Sequence, residues 1–523
     1  MELDLNILRP QERLSLQLRL LYEEAGFRQY RMGRFEEYGL YQKNRRFLAS
    51  EQVITFTDLD GRLLALKPDV TLSIAKNAQV EEGECGRFYY AENVYRPSQE
   101  SHTFQEISQM GLECIGAVDD AVTAQAASLA WQSLALTGRD FVLEASHMGF
   151  VAGLLDAVGA PEAFRGWLLS CIRNRNRHEL RTAAAEAGLS PQGTGVLCRL
   201  DALAGEWRAV LAEAEPIALN AAMGAALAEL RTLCEALEAQ GQQLRLDLSL
   251  VNDMDYYNGL VLQGYVAGLP RAVLKGGRYD PLADQFRPGA RAVGFALYLD
   301  ELERLGETSP EAEMPGMLNI ALPKGRLGDK VYGLLAGAGC GCPEDYSDSR
   351  KLVVENPAAG IRYFLVKPSD VAIYVEHGAA DVGIVGKDVL EESGADIYEL
   401  LDTGLGRCRM CVAGPEGFRD DPGRSLRVAT KFVGIAKAYY AAQGRDIDII
   451  KLNGSIELAP ILGLSDVIVD IVETGTTLRE NHLKVLTEFM PISARFVANR
   501  ASFQFKRREI EILLGKLAEV TGA

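Results

Sequence analysis

The sequence predicts a multidomain chain of α/β and α+β class. Three observations carry that expectation. Its 523 residues exceed what one hydrophobic core organises, so two to four domains are expected. LGETSPEAEMPGM, from Leu305 to Met317, is rich in Pro, Glu and small residues and reads as a linker. From Leu318 onward strand, loop and helix signatures alternate, the pattern of α/β architecture.

Before the linker, residues 8–26 open with a polar stretch and then repeat apolar positions at Leu14, Leu16, Leu18, Leu20 and Leu21, as an amphipathic helix does. Short strand-like pieces follow, VITFTD and LLALKPDVTLSIA among them. RFYYAENVYR then leads through a polar turn to FQEISQMGLECIG. This strand, loop and strand places Arg96, Gln109 and Glu113 where their side chains can converge. Residues 155–245 are Ala-rich and read as helical.

After the linker, LNIALP reads as a strand and KGRLGDKVYGLL as a helix. Lys324 and Arg326 then lie between a strand's carboxyl end and a helix start, where open α/β sheets bind ligands. Asp370–Leu390 gives a helix, a strand and the glycines Gly383 and Gly386. Lys451–Leu464 supplies the polar turn Asn453, Gly454 and Ser455 at another helix start.

The densest chemistry lies in SDVIVDIVETGTTLRENHL, Ser465–Leu483. Val467–Val472 are apolar and β-branched apart from Asp470, which suits a buried strand ending at an acidic site. Glu473, Thr474, Gly475, Thr476 and Thr477 then turn the chain, and a helix can continue from Leu478. Gly475 lets the backbone come close to a ligand, while Thr hydroxyls and unpaired amides at a helix start suit a phosphate. The helix dipole adds roughly 0.3–1 kcal/mol for an anion there. Two acids beside a phosphate nest suit ribose hydroxyls or a phosphate ligand carrying Mg²⁺. Phosphate, ribose and magnesium together describe phosphoribosyl pyrophosphate; the alternative is ordinary Thr capping.

Composition narrows the class. Hydrophobic residues make up 48% and charged residues 24%, as in soluble globular proteins. With no apolar run of roughly eighteen residues and no signal-like start, a cytoplasmic location away from membranes is expected. A net charge of −17 opposes an extended nucleic-acid surface. Nine scattered cysteines read as reduced thiols. Cys340, Cys342, Cys408 and Cys411 sit in a Gly-rich bend and a strand-like run, contexts that disfavour a four-thiolate zinc site. No dedicated metal site is expected, and none of the five histidines has the surroundings of a catalytic base.

Read as a set, LKPDVT, VYR with QMGLECIG, DMDYYNGLVLQGYV and KGGRYDPLADQF occur in this order and resemble the catalytic core of histidyl-tRNA synthetase, over residues 1 to about 305. The resemblance implies a class II synthetase fold, an antiparallel sheet flanked by helices, with the family's insertion at about 155–245. It also implies a histidine pocket of Asp69, Thr71, Arg96, Gln109, Glu113, Tyr256 and Tyr257. Departures are equally specific. Asn252 replaces an arginine that supports amino-acid activation, Ser98 replaces the acid of the Arg-x-Glu motif, and Glu301 replaces an arginine that contacts triphosphate. An acid facing a triphosphate repels it, so adenylate chemistry is expected to be lost. A body that binds but does not activate histidine resembles the regulatory subunit of ATP phosphoribosyltransferase, HisZ.

LPKGRL, DSRKL, YVEHGAADVGIVGKD, RVATKF, LNGSIELAP and DIVETGTTL resemble the short form of the catalytic subunit, HisG, over residues 317–523. This implies two lobes like a periplasmic binding protein, with residues 306–316 as linker. The implied reaction couples ATP and phosphoribosyl pyrophosphate, with Mg²⁺ arriving on the substrate and histidine as feedback inhibitor. Glu473, Thr474, Gly475, Thr476 and Thr477 are expected on phosphoribosyl pyrophosphate, with Glu473 and Asp470 near the ribose. Lys324, Gly325, Arg326, Arg350, Asn453, Gly454 and Ser455 are expected on ATP or pyrophosphate. Separate HisG and HisZ chains form a hetero-octamer, so a homotetramer of this fused chain is expected. Two rival readings are a non-catalytic ligand sensor and a working synthetase fused to an enzyme.

Overall fold

The structure, a computed structural model, describes residues 8–48, 52–98, 103–251, 256–306, 317–342 and 351–522. Asn252 and Arg350 fall outside the described residues. The chain divides into two compact units, Met1–Glu313 and Met314–Ala523.

The first unit is built on a nine-stranded sheet. Its strands are β1 (Arg28–Gln29), β5 (Cys85–Pro97), β6 (Phe104–Gly116), β7 (Phe141–His147), β8 (Ala204–Glu206), β9 (Arg245–Asp247), β10 (Leu260–Val266), β11 (Leu274–Arg278) and β12 (Arg291–Tyr298), in the order β1-β5-β6-β12-β11-β10-β7-β9-β8. The pairings from β5 through β12, β11 and β10 to β7 are antiparallel. A small sheet of β2 (Phe35–Glu37), β3 (Thr55–Thr57) and β4 (Leu63–Leu66) lies beside it.

Two sequence expectations change here. LLALKPDVTLSIA is strand only through Leu66, because Asp69 accepts the Leu72 amide at 2.8 Å and starts a helix at Thr71. In the helix Pro10–Glu24, Leu18 and Tyr22 are buried but Leu16 and Leu20 are exposed, so the apolar stripe is narrower than the leucine count suggested. Residues 155–245 contribute helices such as Trp207–Ala214 and Ala221–Glu238, with β8 as a short strand among them and β9 beginning at their end.

The second unit holds two sheets. The first lobe runs β14-β15-β13-β16-β23-β17, from β13 (Leu318–Pro323), β14 (Val353–Asn356), β15 (Ile361–Val366), β16 (Val382–Gly386), β17 (Tyr398–Asp402) and β23 (Ala494–Ala498). The second runs β20-β19-β21-β18-β22, from β18 (Cys408–Pro415), β19 (Leu426–Thr430), β20 (Ile447–Lys451), β21 (Val467–Val472) and β22 (Leu483–Ile492). The chain leaves the first sheet after β17 and returns at β23, so the second lobe is an insertion within the first. The two crossing strands are zipped together. Thr403 donates its amide and hydroxyl to the Ala494 carbonyl at 3.0 and 2.7 Å, and the Ala494 amide donates to Leu405 O at 2.9 Å. Beneath them lies a buried charge network in which Lys387 and Arg495 both meet Glu399, and Arg495 also meets Asp402. Cys340 and Cys411 are buried in separate hydrophobic cores, one in each lobe.

Candidate functional site

In the second unit, parallel pairing collects the polar turns. β13 runs parallel to β16, so Lys324 and the helix start at Lys387–Asp388 leave the same edge of the first sheet. β19 runs parallel to β20 and β21, so Lys431, the Asn453–Ser455 turn and the Glu473–Thr477 turn leave one edge of the second. Burial raises the carboxyls of both Asp388 and Asp470, and the Lys431 ammonium lies within electrostatic reach of both and opposes the rise, which links the two edges.

Lys324 and Arg326 are exposed, and neither side chain has a partner among the described residues. Gly325 turns the chain with φ +88°, and a Cβ at Gly328 would lie 1.8 Å from Pro323 O, so the helix Arg326–Leu335 starts tight against the strand end. Asn453, Gly454 and Ser455 are exposed, with Ser455 at φ +50°, and the helix after them, Leu458–Ile461, is one turn.

Gly475 adopts φ +70° and caps the helix Thr476–Glu480. The expected helix from Leu478 is therefore five residues that begin at Thr476. It stops because Asn481 donates its side-chain amide to Thr477 O at 2.8 Å and His482 turns left-handed. So short a helix contributes little dipole, and the cradle rests on the glycine turn and hydroxyls. Thr474 and Thr476 hydroxyls meet at 3.1 Å, and Arg479 donates to Thr476 Oγ1 at 3.1 Å and to Thr474 O at 3.4 Å. Asp470 is half-buried at the end of β21, and burial pushes its carboxyl up to about 6 against the hydrogen bond from the Ile471 amide.

In the first unit, all seven residues expected around histidine line one cavity of about 180 Å³. That is smaller than the roughly 300–1,000 Å³ of drug-sized pockets, and suits one amino acid. Glu113 accepts from Thr71 at 2.7 Å and from Tyr279 at 2.5 Å. Burial raises its carboxyl to about 8, the two hydrogen bonds opposing. Burial raises Asp69 as well, although Arg96 lies 3.4 Å away and pulls it down. Arg96 also donates to Pro68 O at 2.9 Å, so it braces Asp69 from behind. The Gln109 side-chain amide nitrogen is buried without a partner among the described residues, an unmet donor on a residue that lines the cavity. Tyr256 and Tyr257 stack edge-on at 4.5 Å. Glycines make the room: a Cβ at Gly294 would sit 1.8 Å from Glu113 Oε2, and one at Gly277 would strike Tyr257. Glu301 lies outside this lining, 3.1 Å from Arg304.

Sequence reasoning missed Arg479, Lys431 and Asp388 in the second unit, and Tyr279, Tyr298 and Lys275 in the first. Arg479 was legible, lying one turn from Thr476 with a cation's reach. Lys431 and Asp388 become site residues only through strand pairing between distant segments. His377 ends the helix Val371–Glu376, a structural place.

Comparison with known proteins follows the same division. The histidyl-tRNA synthetase family model matches residues 3–302 and the ATP phosphoribosyltransferase family model matches residues 367–519. The ATP phosphoribosyltransferase of Brachyspira hyodysenteriae is 57% identical over 205 residues, 39% of this chain and 100% of that protein. That of Bacillus subtilis is 46% identical over 207 residues, 40% of this chain and 97% of the other. A solved structure described as an ATP phosphoribosyltransferase regulatory subunit/histidyl-tRNA synthetase, from Bacillus halodurans, aligns with a TM-score of 0.53 at 25% identity, covering 68% of this chain and 94% of that one.

Proposed function

We propose how catalysis and feedback are divided within this chain, which belongs to the ATP phosphoribosyltransferase family through its second unit and to the histidyl-tRNA synthetase family through residues 3–302. Its activity is that of an ATP phosphoribosyltransferase of histidine biosynthesis, carried with a HisZ-like regulatory domain. In that reaction N1 of the ATP adenine forms a bond to C1 of phosphoribosyl pyrophosphate as the C1–oxygen bond to pyrophosphate breaks. C1 gains oxocarbenium character and the leaving group gains negative charge, so the site works by orientation and electrostatics.

Thr474–Thr477 cradle the 5′-phosphate, with Arg479 adding a cation above them, and Asp470 and Glu473 receive the ribose hydroxyls. Lys324 and Arg326 meet the departing pyrophosphate or the ATP triphosphate, assisted by the Asn453–Ser455 turn, with Gly325 letting the backbone approach and Arg350 on the ATP side. What carries this reading is that two unpaired cations and a hydroxyl-lined glycine turn leave facing edges of two parallel-paired sheets. Magnesium on the diphosphate supplies charge neutralisation, and the two carboxylates at one edge suit an ion that the substrate brings.

Histidine occupies the 180 Å³ cavity. Its carboxylate takes the unmet Gln109 amide, its α-ammonium meets Asp69 and Glu113, and its ring lies against Tyr256 and Tyr257. Differential affinity for two states of the chain then lowers activity. The assembly in solution is a homotetramer, checked by light scattering.

The test mixes the chain with ATP, phosphoribosyl pyrophosphate, Mg²⁺ and a pyrophosphatase, follows phosphoribosyl-ATP, and then adds histidine. Product that falls with histidine is expected, with Lys324→Ala lowering kcat/KM by about 10²-fold or more and Tyr257→Ala relieving inhibition. Full inhibition of Tyr257→Ala would remove the pocket assignment, and full activity of Lys324→Ala would remove the pyrophosphate role.

A further inference from the structure

Many cations of this acidic chain are paired with carboxylates, as Arg175 is with Asp247, Arg278 with Asp280 and Arg427 with Asp466. One place in the first unit departs from that habit. An open cleft of about 950 Å³ is lined by Arg28, Lys76, Arg87 and Arg287, and shares no residue with the histidine cavity. It lies where β1, the start of β5, the end of the helix Thr71–Asn77 and the residue after the helix Asp280–Phe286 come together. Lys76, Arg87 and Arg287 have no ion-pair partner among the described residues. Arg28 donates to Gln79 O at 3.2 Å and lies over the Phe88 ring at 4.7 Å, contacts that leave its charge uncompensated.

Two of these guanidinium groups are also short of hydrogen bonds. Nε of Arg87 and Nη1 of Arg287 are buried and have no acceptor among the described residues. A buried charged donor left unmet costs about 1–3 kcal/mol or more, so such groups call for an acceptor that the protein does not provide. Among the residues lining the cleft only Glu81 and Glu84 oppose the four cations, both at exposed positions on the rim, and Asp119 lies within electrostatic reach of Cys85. Gly86 lies against the floor, where a Cβ would approach Val80 Cγ2 to 2.5 Å. Cys85 shares the cleft, half-buried; its hydrogen bond with Cys114 and then the Arg87 charge bring its thiol down to about 7.

We propose that this cleft binds a small phosphate-bearing anion, held by Arg87 and Arg287 at its inner end and by Arg28 and Lys76 at its mouth, at a site separate from both the histidine cavity and the catalytic edges. Guanidinium forks match phosphoryl oxygens in geometry as well as charge, and several together select a multiply charged ion over a carboxylate. The compact cluster on a chain of net charge −17 excludes a nucleic-acid track.

Cys85 provides a reporter within the cleft itself, and variants of the cleft separate its response from pyrophosphate bound at the catalytic edges. The full chain is alkylated with limiting iodoacetamide in magnesium-free buffer, and the rate at Cys85 is read by peptide mass spectrometry, with half-buried Cys198 as reference. Inorganic pyrophosphate at about ten times its dissociation constant should slow Cys85 about tenfold and leave Cys198 unchanged. Lys76→Gln with Arg287→Gln should abolish the protection while Cys85 still reacts; exposed Lys76→Ala alone should weaken it without disturbing the fold. An ADP arm identifies the source: protection by pyrophosphate alone supports an inorganic ion, and protection by ADP supports a nucleotide phosphate. Protection matched by sodium chloride at equal ionic strength, protection surviving in the double variant, or none from either probe overturns the site. A carboxylate of a second copy filling the cleft would appear as Cys85 reactivity that rises on dilution with no response to either probe, and would overturn it too.

Discussion

Glu113 is where burial and function pull hardest against each other. With its carboxyl raised to about 8 by desolvation, it is mostly protonated at neutral pH. An incoming ammonium favours the ionised form, so binding expels a proton and affinity strengthens as pH rises toward 8, by up to about tenfold per unit. Titration calorimetry from pH 6.5 to 8.5 should show that slope, and Glu113→Gln should flatten it. Asp470 is raised in the same direction but only to about 6. Its charged form is present above that pH and lost below it, so kcat/KM should fall as pH drops through 6, and Asp470→Asn should lose that limb of the profile. A limb that persists in the variant assigns it to another group. Both acids were legible in the sequence, because Glu113 sits in QMGLECIG and Asp470 interrupts an apolar strand. Their protonation was not, because it depends on which segments close over them: Tyr279 and Thr71 for the first, and Glu457 and Lys431 for the second.

The strands were read well wherever period and length were strong. RFYYAENVYR and FQEISQMGLECIG became the long paired strands β5 and β6, with Arg96 opposite Gln105. The helix at Thr71 was missed because β-branched and apolar residues there mimic a strand, and the deciding Asp69 cap is a single side-chain contact. Pairing order escaped altogether: that β16 lies between β13 and β23 cannot be read from local pattern, and it brings Asp388 to the same sheet edge as Lys324. The crossing strands are the element most exposed to test. Arg495 is 4% exposed and holds Glu399 and Asp402 at the root of both crossings. Arg495→Met leaves those carboxylates and should cost about 3–5 kcal/mol, read by denaturant unfolding, with Lys387 still pairing Glu399 and the Ser493 hydroxyl still donating to Asp402. A loss under about 1 kcal/mol would mean that the pairs are energetically idle.

Among the described residues each unit owns its hydrophobic cores, two in the first and four in the second. Calorimetry should therefore resolve two unfolding transitions. Histidine at about one hundred times its dissociation constant should stabilise the first unit alone by about 2.7 kcal/mol. A single transition that moves as one would show that the units unfold together. No helix among the described residues is long and apolar enough to cross a membrane.

The insertion of the second lobe between β17 and β23 also sets an order of manufacture. A ribosome releases the chain from its amino end, and the first unit has all nine strands of its sheet once Tyr298 has emerged. The other sheet must wait for Ala494–Ala498, which sits between β16 and β17 but is translated after the whole inserted lobe. The regulatory half thus has its whole sheet in hand before the sheet of the transferase half can close, so the regulatory fold is in place before there is any catalytic fold for it to act on.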